Sequence, residues 1–82
     1  MKPRDFKVSD YYVSKWKGPD NYFHGVVKII PNNVDYENYV FAEVIKVFES
    51  STPTWSKGWK FYLVPNQLKN KITDTTHPEY FI

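Results

Sequence analysis

Tyr39-Val40-Phe41-Ala42-Glu43-Val44-Ile45-Lys46-Val47-Phe48 (YVFAEVIKVF) decides the fold class. On periodicity alone a run of this length fits either a helix or a strand. Val40, Val44, Ile45 and Val47 select the strand, because β-branched side chains lose rotamer freedom in a helix and suit a pleated sheet. Neither face is polar: Val40, Ala42, Val44 and Phe48 alternate with Tyr39, Phe41, Ile45 and Val47. A long, bent strand shared between two halves of a small barrel needs apolar residues on both faces.

The flanking segments fit such a barrel. Phe6 to Trp16 (FKVSDYYVSKW) reads as a first strand interrupted near Ser9-Asp10. Lys17-Gly18-Pro19-Asp20-Asn21 is a turn, with Gly and Pro as punctuation and Asx side chains to close it. Tyr22 to Ile30 is the second strand, with Phe23, Gly25, Val27 and Ile29 on one face. Gly25 inside it predicts a bulge or tight bend. Pro31-Asn32-Asn33 ends that strand, and a polar connection runs from Val34 to Asn38. Glu49 to Thr54 is a loop and Trp59 to Val64 the fourth strand. Pro65-Asn66-Gln67-Leu68 fits a single tight turn, since Pro65 cannot continue a ladder and suits a first helical position. Lys69 to Thr73 is a short fifth strand. Residues 1–73 thus form the barrel, and residues 74–82 form a tail that packs on the barrel or in a partner through Tyr80, Phe81 and Ile82.

An 82-residue chain makes one domain with one small core. The chain has no cysteine, so no disulfide or thiolate-bound zinc supplements that core. Aromatic residues make up 20% of it and supply the most buried area per residue. Absence of cysteine, of a long apolar run and of an apolar stretch in MKPRDFKVSD sets a cytoplasmic expectation, with no membrane span. The net charge is +2, carried on ten Lys and one Arg. Arg is the preferred residue for bidentate phosphate and base contacts, so base-specific reading is disfavoured while backbone contacts by Lys remain open. Lys, Asn, Tyr, Phe and Ile together match AT-rich codons, as many bacteriophage genomes use.

Phe6-Lys7-Val8-Ser9-Asp10 resembles the F-x-V-G-D opening of Tudor, KOW and other Src-homology-3-like barrels, with Ser9 where Gly is usual. His24-Gly25-Val26-Val27-Lys28-Ile29 resembles their second strand. Leu63-Val64-Pro65-Asn66-Gln67-Leu68 resembles their one-turn helix before the last strand. The resemblance spans Phe6 to Thr73 and implies an all-β, five-stranded Src-homology-3-like barrel. Leu68 stands near the place where proline-peptide-binding members keep a tyrosine, and no acidic specificity loop is recognisable, so polyproline binding is not implied.

Chemistry-bearing groups are scattered. His24 lies mid-strand and His77 in the tail, whereas metal sites and His-based catalysis need converging ligands or orienting groups. Asp35, Glu37, Glu43 and Glu49 read as a solvated edge. Gly18, Gly25 and Gly58 are isolated, so no phosphate-cradling loop exists. The expectation is no enzyme, no cofactor and no metal. The 16 rings, in contrast, exceed what one small interior holds. Tyr11, Tyr12, Trp16 and Tyr22 flank the first turn, and Trp55, Trp59 and Tyr62 flank the fourth strand. Phe61 and Leu63 should face the core, because burying Lys60 unpaired is costly. Tyr62 would then face outward with Lys60, near Trp55 and Trp16. These rings serve a protein partner as interface anchors, unpaired bases as stacking platforms beside Lys15, Lys17, Lys57 and Lys60, or a methylated side chain as a cage. The leading expectation is a non-catalytic protein-binding module, a phage-type adaptor or inhibitor that docks on a host protein. A nucleic-acid-binding barrel stands as the alternative.

Overall fold

The computed structural model describes residues 6–31 and 38–80. They form an all-β domain: β1 (Tyr11–Lys17), β2 (Tyr22–Ile29), β3 (Val40–Ser50), β4 (Lys60–Leu63) and β5 (Leu68–Ile72). A one-turn 3-10 helix, Pro65–Gln67, precedes β5, and another, Pro78–Tyr80, lies in the tail. All strand pairs are antiparallel, in the order β4-β3-β2-β1-β5, so the last strand returns beside the first. No described helix is long and apolar enough to cross a membrane.

The Tyr39 to Phe48 run is a strand from Val40 on, as its β-branched residues require, and it extends two residues further, to Ser50. The first strand begins later than the sequence suggests. Phe6 to Asp10 is a turn rather than a strand, and Ser9 within it has φ 76. The Ser9 N–H donates to the Ile29 carbonyl at 2.7 Å and the Ile29 N–H to the Asp10 carbonyl at 2.8 Å. These bonds secure the turn to the end of β2 even though a non-glycine residue in the left-handed region is strained. The predicted polar connection falls largely on residues 32–37, outside the described residues, as do Phe81 and Ile82.

Gly25 sits at the predicted bulge. The β2–β3 register shifts between His24 and Gly25 and again between Val26 and Val27. A Cβ at position 25 would overlap the Lys46 carbonyl oxygen and lie 2.8 Å from Phe23 Cζ. Both shifts place the extra residue on β3, Phe48 at the first and Ile45 at the second, and β2 buries residues on both its faces. Phe23, Val27 and Ile29 join Val40, Ala42, Val44, Leu63 and Leu68 in the main core, with Phe6 and Tyr12. Val26 points the other way, opposite Val13, and is also fully buried. Ile72, opposite Tyr11, is buried on that same outer face.

The tail returns across the outer face. Thr73 and Thr76 bond reciprocally: the Thr73 N–H donates to Thr76 Oγ1 at 2.9 Å, and the Thr76 N–H to Thr73 Oγ1 at 3.2 Å. Tyr80 then packs on Phe48 at 5.2 Å between ring centroids and on His77 at 5.3 Å, the latter pair nearly parallel. Phe48 in turn meets His24 at 5.0 Å.

The helix before β5 is held from both sides. The Val64 N–H donates to Gln67 Oε1 at 2.9 Å, and the Gln67 N–H to the Val64 carbonyl at 2.9 Å. Ser14, fully buried on β1, donates through Oγ to the Gln67 carbonyl at 2.9 Å. Its small side chain fits because its cross-strand partners are Gly25 and Leu68.

Two substitutions test this backbone reading. Gly25→Ala should destabilise the fold by about 3 kcal/mol or more, because the clash is with a main-chain oxygen that cannot rotate away. Ser9→Gly should stabilise it by about 0.5–1 kcal/mol through relief of the left-handed strain, net of the freer unfolded chain. Thermal unfolding measures both, and a Gly25→Ala protein melting with the parent would contradict the close approach.

Candidate binding surfaces

Strand alternation sends the expected site residues to different surfaces. On β4, Phe61 and Leu63 face inward while Lys60 and Tyr62 face outward, as charge burial requires. Phe61 packs against Phe23 at 5.5 Å and against Trp55 at 6.1 Å. Trp16 joins them, 5.2 Å from Trp55 and 6.2 Å from Phe23. Trp16 and Trp55 therefore line the rim of the core as a pair.

The expected cluster of Tyr62 with Trp55 and Trp16 is thus corrected. Trp55 folds over the inward ring Phe61, and alternation puts Tyr62 on the opposite face of the same strand. There Tyr62 stacks on its cross-strand partner Phe41 at 4.6 Å and meets Tyr39 edge-on at 6.5 Å. Tyr39 is 45% exposed and Tyr62 38%. Sequence reasoning placed Phe41 and Tyr39 in one strand run, Tyr39 to Phe48, but did not join them to Tyr62, because the β3–β4 register is a non-local fact.

One row of that outer face crosses the whole sheet: Ile72, Tyr11, Lys28, Glu43 and Lys60 are successive cross-strand partners. Lys28 Nζ lies over the Tyr11 ring, 5.8 Å from its centroid. Glu43 sits between two lysines, which balances charge beside the ring ladder. Tyr12 lies inward instead, 8% exposed and edge-on to Phe6 at 5.1 Å. Lys57 is exposed in the loop before β4.

The third surface is a pocket of about 510 Å³ at the β1–β2 hairpin end. Lys15, Trp16 and Lys17 of β1 line it, with Tyr22, Phe23 and His24 of β2 opposite. Glu49 and Lys69 complete its wall. Tyr22 is 41% exposed, and the loop after β3 holds its backbone: the Tyr22 N–H donates to Ser51 Oγ at 3.0 Å, and the Ser51 N–H to the Tyr22 carbonyl at 3.0 Å. Lys69 Nζ donates to the Asn66 carbonyl at 2.6 Å. The Trp16 indole N–H is buried, with no acceptor among the described residues. Lys69 escaped sequence reasoning because β5 reaches β1 only through the sheet order.

No group of three or more His, Cys, Asp or Glu able to hold a metal ion occurs among the described residues. No known protein family, curated protein or solved structure matches the chain.

Burial, and next the Asp10 carboxylate, raise the pKa of the Tyr12 phenol above its ordinary 10.0, with Lys71 opposing. Lys71 also pairs with Asp10 at 3.4 Å. The folded state therefore holds this proton where the unfolded chain releases it. That contribution to stability is full below pH 10 and is lost as pH rises toward the folded pKa. Urea unfolding across pH 9 to 11 should show a steeper alkaline loss in the parent than in Tyr12→Phe. Equal slopes would remove Tyr12 as the cause.

Proposed function

We propose that the chain is a non-catalytic protein-binding module of Src-homology-3-like architecture, docking through the outer face of β3 and β4. The observation that carries this reading is the ring ladder formed by Tyr62 on the edge strand β4 with the half-buried Phe41 of β3 and the exposed Tyr39 just before it. Tyr is enriched among interface hot spots, since its ring buries large area with few rotatable bonds. β4 ends the sheet, so an extended segment of a partner protein can add beside it and lay alternate side chains on the ladder. The fold assignment draws support from β5 returning beside β1 and from the helix turn Pro65–Gln67. Ser9 supports it as well, since φ 76 is the conformation that explains the family's usual glycine at that place.

Affinity capture from the source organism under nuclease treatment supplies the partner, and titration of the purified pair tests the surface. Tyr62→Ala should weaken binding by about 1–2 kcal/mol or more. Its melting temperature should stay near the parent's, because the ring is substantially exposed. Parent-like affinity in a folded Tyr62→Ala protein would rule out this face as the docking surface.

A further inference from the structure

We infer that the pocket at the β1–β2 hairpin end binds single-stranded nucleic acid, in a sequence-tolerant manner, at a site separate from the protein-docking face. Three lysines and one glutamate line it, Lys15, Lys17 and Lys69 with Glu49. Their formal balance is +2. Tyr22, 41% exposed and the cross-strand partner of Lys17, supplies a flat ring on the same face, while Trp16 lines the pocket from the core side. Lysines as point charges for phosphates beside rings that stack on bases are the two components of non-specific single-strand binding. An acidic peptide would satisfy the lysines, but it meets Tyr22 with a stacking ring only where it also carries an aromatic side chain, whereas every nucleotide brings both phosphate and ring. A duplex keeps its bases stacked inside and would offer only phosphates.

The geometry suits a strand. Lys15 and Lys17 are two residues apart on β1, roughly 6.6 Å along the strand and on the same face. That is about one step of an extended nucleotide chain. The pocket volume of about 510 Å³ lies within the usual range for small-ligand sites. It has room for one base with its sugar, while the backbone continues past Lys69. Among the described residues the wall carries no Arg, whose rigid planar fork best suits a guanine edge, so the binding reads charge and ring stacking more than sequence.

The test is fluorescence anisotropy with labelled oligothymidylate of about 12 nucleotides, a length within the span of single-strand sites on small barrels. Three phosphate contacts predict a loss of affinity of roughly 20-fold between about 50 and 200 mM salt. Tyr22→Ala should weaken binding roughly 5- to 100-fold, the range of one lost stacking contact. Lys17→Gln should weaken it and flatten the salt dependence, whereas Lys7→Gln, beyond the far end of β2, should leave it unchanged. Glu49→Gln should tighten binding, a gain that damage to the fold would not produce. Circular dichroism melting certifies each variant as folded. Absence of binding at low salt would overturn the inference. So would full binding by folded Tyr22→Ala, or equal affinity for oligoglutamate, which would make the pocket an acidic-peptide site. Tyr62→Ala should leave oligothymidylate binding intact, so this site and the protein-docking face stand or fall separately.

Discussion

The missing side chain of Gly25 allows the rest of the sheet to assemble as it does. Any Cβ there would meet the Lys46 carbonyl oxygen and the Phe23 ring. With only hydrogen in that place, β2 and β3 approach closely at a bulge, and the bulge bends and twists the pair. Phe23 can then sit fully buried beneath the bend, and Trp16, Trp55 and Phe61 gather around it. The second register shift leaves Ile45 of β3 unpaired, while Val26 and Val27, on opposite faces of β2 by strand alternation, are both buried. A sheet so bent carries an apolar surface on its outer side as well, and the tail returns to that side, with Tyr80 on Phe48.

Local chemistry made much of this legible in the sequence. Val40, Val44, Ile45 and Val47 state a strand because their branching is a property of each residue alone. Pro65 states a stop, and its neighbours make the one-turn helix, because proline's ring acts on its own backbone. Gly25 within a strand states a bulge for the same reason. The turn at Ser9 was half legible. The dipeptide Ser9-Asp10 marked an interruption, but the left-handed φ is imposed by bonds to Ile29, distant in sequence.

The surfaces were less legible, because each depends on pairing between distant strands. Alternation correctly divided β4 into Phe61 and Leu63 against Lys60 and Tyr62. It could not say which rings of other strands arrive on each face. Trp55 lies in a loop, where alternation does not apply, and it folded onto Phe61 rather than Tyr62. Tyr12 and Tyr11 are adjacent residues with one expected role, yet strand geometry buries the first and leaves the second on the outer face beneath Lys28.

The exposed large side chains among the described residues follow a chemical rule. Apart from Val8 they are Tyr22, Tyr39, Trp59 and Tyr62, each a ring with a polar handle. The described Phe residues are buried or half-buried, as Phe6, Phe23 and Phe61 are. A phenol or indole tolerates water at its polar atom while keeping a broad apolar face available to a partner. Tyr22 and the pair of Tyr39 and Tyr62 stand toward opposite ends of β2. Tyr22 opens β2, and the far end of β2 adjoins Phe41 through the Ile30 N–H, which donates to the Phe41 carbonyl at 3.1 Å. An eight-residue strand separates the two ends by roughly 23 Å. That exceeds about two Debye lengths at physiological salt, so charge bound at the hairpin end is screened from the ring ladder. If both proposed surfaces are occupied, charge bound at one therefore acts only weakly on the other.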